Sequence, residues 1–274
     1  MHPHPPIRFV ALGPVFVLVF SMLACGGSVA ATDTPPPVQL AWNLTFENDK
    51  SNLPPPLTSP TGTKMGEILR EKGTLPLPFT GFGMLDYQLP TRTALIKERP
   101  YGLPGKALCV QVAPNDPGWD VGHSRGPRLG IDVPVTLRDT PRWRLSFDLA
   151  AGMKMQMGTL TAYAGSQGIF MLAFYNTGLL RLDVQGGTAD VCPYVPNKPL
   201  HIAFLIDNTA REVSVYLDKE SDALFTAPWS CPEGWKQPFT QFTLMGMSTG
   251  PHGGTGSYAI DNIRLEALPV AAKK

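Results

Sequence analysis

Charge is scarce in this sequence: Asp, Glu, Lys and Arg together make up 16% of its 274 residues. So few charged positions exclude a coiled coil, whose exposed faces need them throughout. The charges also nearly cancel, with 23 Lys plus Arg against 22 Asp plus Glu, and no basic or acidic tract gathers them. A chain without a basic stripe lacks the electrostatic footprint of a nucleic-acid binder. Cysteine is rare as well, with four residues and no CxxC or Cys/His spacing that suits zinc. The long apolar run from Phe9 to Leu23 carries Pro14 inside it and falls short of the ~20 residues that a spanning helix needs. What the chain does have is 29 Pro and 27 Gly, about one residue in five, well above ordinary usage. Both residues break helices and build turns. A 43% hydrophobic content is too high for a disordered chain. These quantities describe a turn-rich, all-β protein with one large core.

The first 31 residues read as an export signal. Arg8 is the only formal charge there, and the Phe9 to Leu23 run has the length of a signal-peptide core. Two processing readings stand side by side. Met22-Leu23-Ala24-Cys25 resembles a bacterial lipobox, in which Cys25 would be lipidated and become the new N-terminus; Met22 and Leu23 depart from its usual pattern. Alternatively, Ser28-Val29-Ala30 or Val29-Ala30-Ala31 offers the small residues of ordinary signal-peptidase cleavage. Both readings predict an extracytoplasmic protein, secreted or held in the cell envelope. Membrane contact would then come only through an N-terminal lipid.

Three cysteines remain beyond that segment: Cys109, Cys192 and Cys231. An odd count in an oxidising compartment permits one bridge and one leftover thiol. Cys192 and Cys231 each adjoin proline in loop-like stretches and form the expected pair. Cys109 lies in the apolar run Ala107-Leu108-Cys109-Val110, where a free cysteine acts as a small hydrophobe.

A Pro-rich spacer, 32–39, precedes the expected domain, 40–268, and a short tail, 269–274, follows it. Trp42 to Phe46 alternates as a first strand does. Prolines from Pro54 to Pro104 predict long loops around short edge strands, with one helical turn over Lys64 to Lys72. Further on, Trp143, Leu145, Phe147 and Leu149 alternate with polar residues, the mark of a half-buried strand. Ile169 to Tyr175 is apolar throughout, and Asn176-Thr177-Gly178 signals a hairpin into Leu179 to Val184. Ile202, Phe204 and Ile206, then Val213, Val215 and Leu217, mark two strands joined over Asp207 to Glu212. Phe242 with Leu244 and then Tyr258 to Leu265 mark the last two. Many short strands with regular turn signals predict an antiparallel β-sandwich.

His201-Ile202-Ala203-Phe204 with Asp207, Arg211, Tyr216 and Asp218 resembles the paired-strand segment of laminin-G-like jelly rolls. Leu200 and Lys219 stand where that family has Trp and Gly. Ala259 to Leu265 is similar to the closing strand of such domains, and Leu44 to Asn48 to their opening strand. The resemblance, to the concanavalin A-like lectin/glucanase superfamily, covers roughly 40–268 and implies a jelly-roll sandwich and a carbohydrate partner. It also implies that Glu47 and Asp261, brought together if the first and last strands pair, hold a structural calcium ion with help from backbone carbonyls. The other reading of this pair is two solvated edge residues.

Candidate ligand contacts cluster between Asn115 and Gly130. Trp119, Asp120, His123, Arg125 and Arg128 combine an aromatic face with planar polar groups, the two kinds of contact a sugar needs. An arginine pair also suits a uronate carboxylate. The same residues would equally serve a solvated loop. Trp229 and Trp235, flanking Cys231-Pro232-Glu233-Gly234, make either a sugar platform or a cover for the sandwich edge. His201 reads as structural. The Glu-x-Asp-x-x-Glu strand of family hydrolases does not occur, although His123 and Arg125 with Tyr163 or Tyr175 have the residue types of a lyase. The expectation is a non-catalytic polysaccharide-binding protein. A polysaccharide-degrading lyase or hydrolase, or a structural envelope scaffold, is the alternative.

Overall fold

The computed structural model describes residues 38–49, 51–52, 92–112, 128–154, 158–218, 221–246 and 256–269. The chain divides at Thr34, and every described residue belongs to the unit Pro35–Lys274. The signal segment with Cys25, the helical turn expected over 64–72 and most of the 115–130 loop lie outside the described residues.

The described strands are β1 (Gln39–Leu44), β2 (Arg92–Glu98), β3 (Lys106–Val112), β4 (Arg128–Asp132), β5 (Arg142–Ala151), β6 (Gly158–Ala164) and β7 (Gln167–Phe174). They continue with β8 (Leu179–Val184), β9 (Gly187–Pro193), β10 (Leu200–Asp207), β11 (Glu212–Leu217), β12 (Phe225–Pro228), β13 (Gln241–Gly246) and β14 (Gly256–Leu268). One sheet runs β12-β11-β10-β5-β14-β3-β2, with β1 also on β14; the other runs β4-β13-β6-β7-β8-β9. Each ladder is antiparallel. The protein is an antiparallel β-sandwich of the jelly-roll class, as the alternation predicts.

Alternation along each strand decides what the core contains. On β5, Trp143, Leu145, Phe147 and Leu149 are fully buried, while Arg144 between them is exposed. Phenylalanines cross between the sheets. Phe147 stacks on Phe242 of the facing sheet with centroids 5.6 Å apart, and Phe204 stacks on Phe170 at 4.8 Å. Fully burying each such ring stabilises the fold by about 1.5–3 kcal/mol. The hairpin of the family resemblance is also present, since β10 pairs with β11 from Ile202↔Leu217 to Asp207↔Glu212. Its tight turn forms because the Asp207 carboxylate accepts the backbone N–H groups of Thr209 (2.8 Å) and Ala210 (2.7 Å), an Asx turn.

The expected Cys192–Cys231 bridge is a correction. Cys192 lies inside β9 rather than in a loop, and Cys109, Cys192 and Cys231 are all free thiols. Cys192 is registered with Leu180, beside Phe174 at one end of β7. Ser230, next to Cys231, donates its N–H to the carbonyl of Ile169 near the other end. Five residues of strand separate those ends, roughly 16 Å, more than twice the span a disulfide bridges. Cys109 is buried, as its apolar run predicts.

Candidate functional site

The Glu47 and Asp261 pair comes from a change of partners along β14. Its first part pairs with β3 from Gly256↔Val112 to Ile260↔Leu108, and its later part with β1 from Ile263↔Leu44 to Ala267↔Gln39. Between them the ladder to β5 slips by a bulge between Asp261 and Arg264. Asn262 takes the left-handed conformation there, with φ of 51°, which asparagine tolerates better than most residues. Asp261 therefore sits in the notch where β1 leaves and β3 begins.

Asp261 is 2% exposed, and its Oδ1 is buried without a hydrogen-bond partner. Burial pushes its carboxyl up to about 6; the backbone N–H groups of Asn262 and Phe46 pull it down, and the charges of Glu47 and Asp148 raise it. Glu47 reaches the notch from the turn after β1, where its Oε1 accepts the backbone N–H of Lys106 at 3.1 Å. A β-carbon on Gly105, whose φ is +71°, would collide with that carboxylate, so only glycine lets it settle there. Asp148 is the register partner of Asp261 on β5. Its own oxygens are engaged, Oδ1 with Nδ1 of His201 at 2.7 Å and Oδ2 by Nδ2 of Asn262 at 2.6 Å.

Two carboxylates thus converge, one carrying an orphaned buried oxygen, which is the donor chemistry of a calcium ligand. Among the described residues, no group of three or more His, Cys, Asp or Glu side chains is placed to hold a metal. Backbone carbonyls and water would have to complete the shell.

The second arrangement lies on the outer face of the six-stranded sheet. Leu160, Ala162, Leu172, Leu180 and Leu182 point into the core. The alternate positions present Thr159, Thr161 and Tyr163 on β6, Met171 on β7, Arg181 and Asp183 on β8, and Gln241 and Thr243 on β13. Near β13 this face is buried, with the hydroxyl of Thr243 donating to Oε1 of Gln241 at 3.2 Å, and Nε2 of Gln241 donating to the part-buried carboxylate of Asp132 on β4 at 2.9 Å. Toward β9 it opens. Nε of Arg181 meets Oδ1 of Asp190 at 2.6 Å, and the guanidinium lies 5.0 Å from the ring centroid of Tyr175. The hydroxyl of Thr188 donates to Asp183 at 2.6 Å. Sequence reasoning did not single out Arg181 or Asp190. The outward alternation of Arg181 and Asp183 on β8 was the available signal.

Of the expected ligand residues, Trp119, Asp120, His123 and Arg125 lie outside the described residues. Arg128 opens β4, paired with Met245 at the edge of this same sheet, so the candidate loop delivers its chain to that edge. Trp229 and Trp235 serve the packing. Trp229 is 1% exposed and donates its indole N–H to the carbonyl of Glu212 at 3.0 Å. Trp235 is half-buried against the core and donates to the carbonyl of Ala164 at 3.0 Å. His201 is tied to Asp148, as a structural histidine should be.

No family model matches the chain, and no curated protein matches it. Solved structures do show partial likeness. A sialidase is similar over 63% of this chain at 16% identity, with a TM-score of 0.47; the chain spans only 16% of that protein's length. A Trypanosoma rangeli sialidase in complex with 2,3-difluorosialic acid is similar over 65% of this chain and 28% of its own length, at 13% identity and a TM-score of 0.43. The alginate lyase A1-II', a member of polysaccharide lyase family 7, is similar over 60% of this chain and 81% of its own length, at 9% identity and a TM-score of 0.42.

Proposed function

We propose that this chain is an extracytoplasmic carbohydrate-binding protein that holds a polysaccharide on the outer face of the six-stranded sheet and catalyses no reaction. The observation that carries the reading is the Tyr175–Arg181–Asp190 arrangement. A guanidinium fork and a carboxylate on the paired strands β8 and β9 stand beside an aromatic ring at the start of the β7–β8 turn, with Thr188 and Asp183 next to them. Sugars are held by such combinations, since C–H faces pack on rings while planar polar groups read hydroxyls. Support also comes from the expected ligand loop, which leads into β4 on the same sheet. In this reading Trp119, Asp120, His123, Arg125 and Arg128 supply contacts from the β4 edge.

A calcium ion in the Glu47–Asp261 notch belongs to the proposal as a structural element. It would tie the end of β1 to the bulge of β14 and supply the positive charge that the two carboxylates need. It has no part in sugar contact.

A glycan array on residues 32–274, run with calcium and again with EDTA, tests the reading. Binding to a defined polysaccharide that weakens in both Arg181→Ala and Trp119→Ala is the expected result. Silence across neutral and uronate glycans would transfer the weight to a structural envelope scaffold. Cleavage of a bound glycan would replace the binding reading with a lyase or hydrolase.

A further inference from the structure

The eight-stranded sheet also turns a surface away from the core, and one end of that surface is hollow. A cavity of about 270 Å³ opens there, lined by Arg144, Leu205, Tyr216, Ser221 and Leu268. Arg144 and Leu205 are direct register partners on β5 and β10, Tyr216 is on neighbouring β11, and Leu268 ends β14. Four of the five lining residues therefore sit on paired strands, whose ladders fix their separations better than loops would.

The polar groups in this cavity are uncommitted. Glu266 stands opposite Arg144 on β14, but its Oε1 is held by Nη2 of Arg264 at 2.6 Å. Among the described residues Arg144 makes no ion pair, and the hydroxyls of Tyr216 and Ser221 make no hydrogen bond. A guanidinium fork offers two parallel N–H donors, the geometry that matches a carboxylate. Leu205 and Leu268 line the rest with apolar surface, which favours a ligand with a ring or hydrocarbon body over a fully hydrated inorganic anion. At ~30 Å³ per water the volume corresponds to roughly nine waters, enough for one ring bearing a carboxylate.

We infer that this cavity is a binding site for a small ring carboxylate, gripped at its anionic end by Arg144 and packed along its ring by Tyr216, Leu205 and Leu268. Aromatic acids and single uronic acids share that chemistry. The site is on the opposite sheet from the proposed polysaccharide face, and it stands or falls independently of that reading.

The test is an NMR titration of the secreted chain with sodium benzoate and sodium glucuronate, beside the neutral analogues benzyl alcohol and methyl glucoside. Saturable shifts of the Arg144, Leu205 and Tyr216 amides by at least one acid, weakened about tenfold or more in Arg144→Gln, are expected. Which acid binds distinguishes an aromatic from a sugar acid. Tyr216→Ala should weaken the same ligand while leaving the overall spectrum folded. Neutral analogues binding as well as the acids, undiminished binding in Arg144→Gln, or no saturation below about 20 mM would each overturn the inference.

Discussion

The guanidinium of Arg181 lies 5.0 Å from the ring centroid of Tyr175 while its Nε holds Asp190 at 2.6 Å. Two strands and the start of a hairpin turn meet in this arrangement, since Arg181 is the register partner of Asp190 across β8 and β9. The pair is part-exposed, and such pairs contribute about 0–1 kcal/mol to folding. Its geometry is better suited to orienting a donor fork than to stabilising the sheet.

Arg181→Ala should therefore leave the thermal midpoint nearly unchanged and reduce polysaccharide affinity by about tenfold or more. Arg181→Lys keeps the charge but loses the planar fork, so it should restore little. Affinity electrophoresis in gels containing the array-identified glycan reads both variants. Unchanged mobility shifts in Arg181→Ala would remove this face from consideration.

Asp261 gives metal-free stability a defined pH dependence. Its carboxyl stands at about 6 in the fold against an ordinary 3.8, so the folded state binds that proton more tightly than the unfolded chain. Folding is thus favoured while the group is protonated, and stability falls as pH rises from about 4 through about 6. In EDTA, Asp261→Asn should remove that decline and raise stability at pH 7 by about 1–3 kcal/mol. With calcium the order reverses at neutral pH: the native chain gains stability and Asp261→Asn gains none. Denaturant titrations at pH 4.5 and 7, each with and without calcium, separate the two effects. A native chain indifferent to calcium would remove the ion from the notch.

Strands whose apolar residues alternate were legible because burial on one face writes a period of two. β5, β7, β8, β10, β11, β13 and β14 all lie close to the expected positions. β9 was not legible. Its residues Gly187-Thr188-Ala189-Asp190-Val191-Cys192-Pro193 bury only Val191 well, as befits an edge strand, so no apolar rhythm marks it. Without β9, the sequence makes Cys192 a loop residue and hides the partnership of Arg181 with Asp190. The Glu47–Asp261 adjacency was legible because it needs only the first and last strands to pair. Asp148 was not, since it joins them through the register of β5 on β14, and register is a tertiary fact.

The three thiols should differ in reactivity. Burial pushes Cys192 up to about 11, with the charge of Asp218 adding to it. Cys109 is also raised by burial and donates to the Tyr101 hydroxyl at 3.3 Å. Cys231 is raised by burial too, but Arg211 nearby favours its thiolate. Because the thiolate is the nucleophile, iodoacetamide at pH 8 should label Cys231 first, with Cys192 and Cys109 labelled mainly on unfolding. Non-reducing peptide maps should show no Cys192–Cys231 linked fragment. Recovering such a fragment from freshly purified, unreduced protein would contradict the positions of β9 and the Ser230 contact.

Trp229 separates packing from recognition among the tryptophans. Its ring is 1% exposed, its indole N–H is donated to Glu212, and the guanidinium of Arg211 lies 4.9 Å from its centroid. Arg211 also donates from Nη1 to the carbonyl of Gln237 at 2.5 Å, so one side chain ties the 229–237 segment to the β10–β11 turn. Trp229→Ala should cost about 3–5 kcal/mol, through the cavity it leaves and the carbonyl of Glu212 left without its donor. Trp229→Phe keeps most of the volume and should cost less. Under conditions where Trp229→Phe is fully folded, its glycan affinity should equal that of the native chain, because the ring faces the core. A folded Trp229→Phe with lost binding, measured by the same affinity electrophoresis, would put this tryptophan back in a sugar platform.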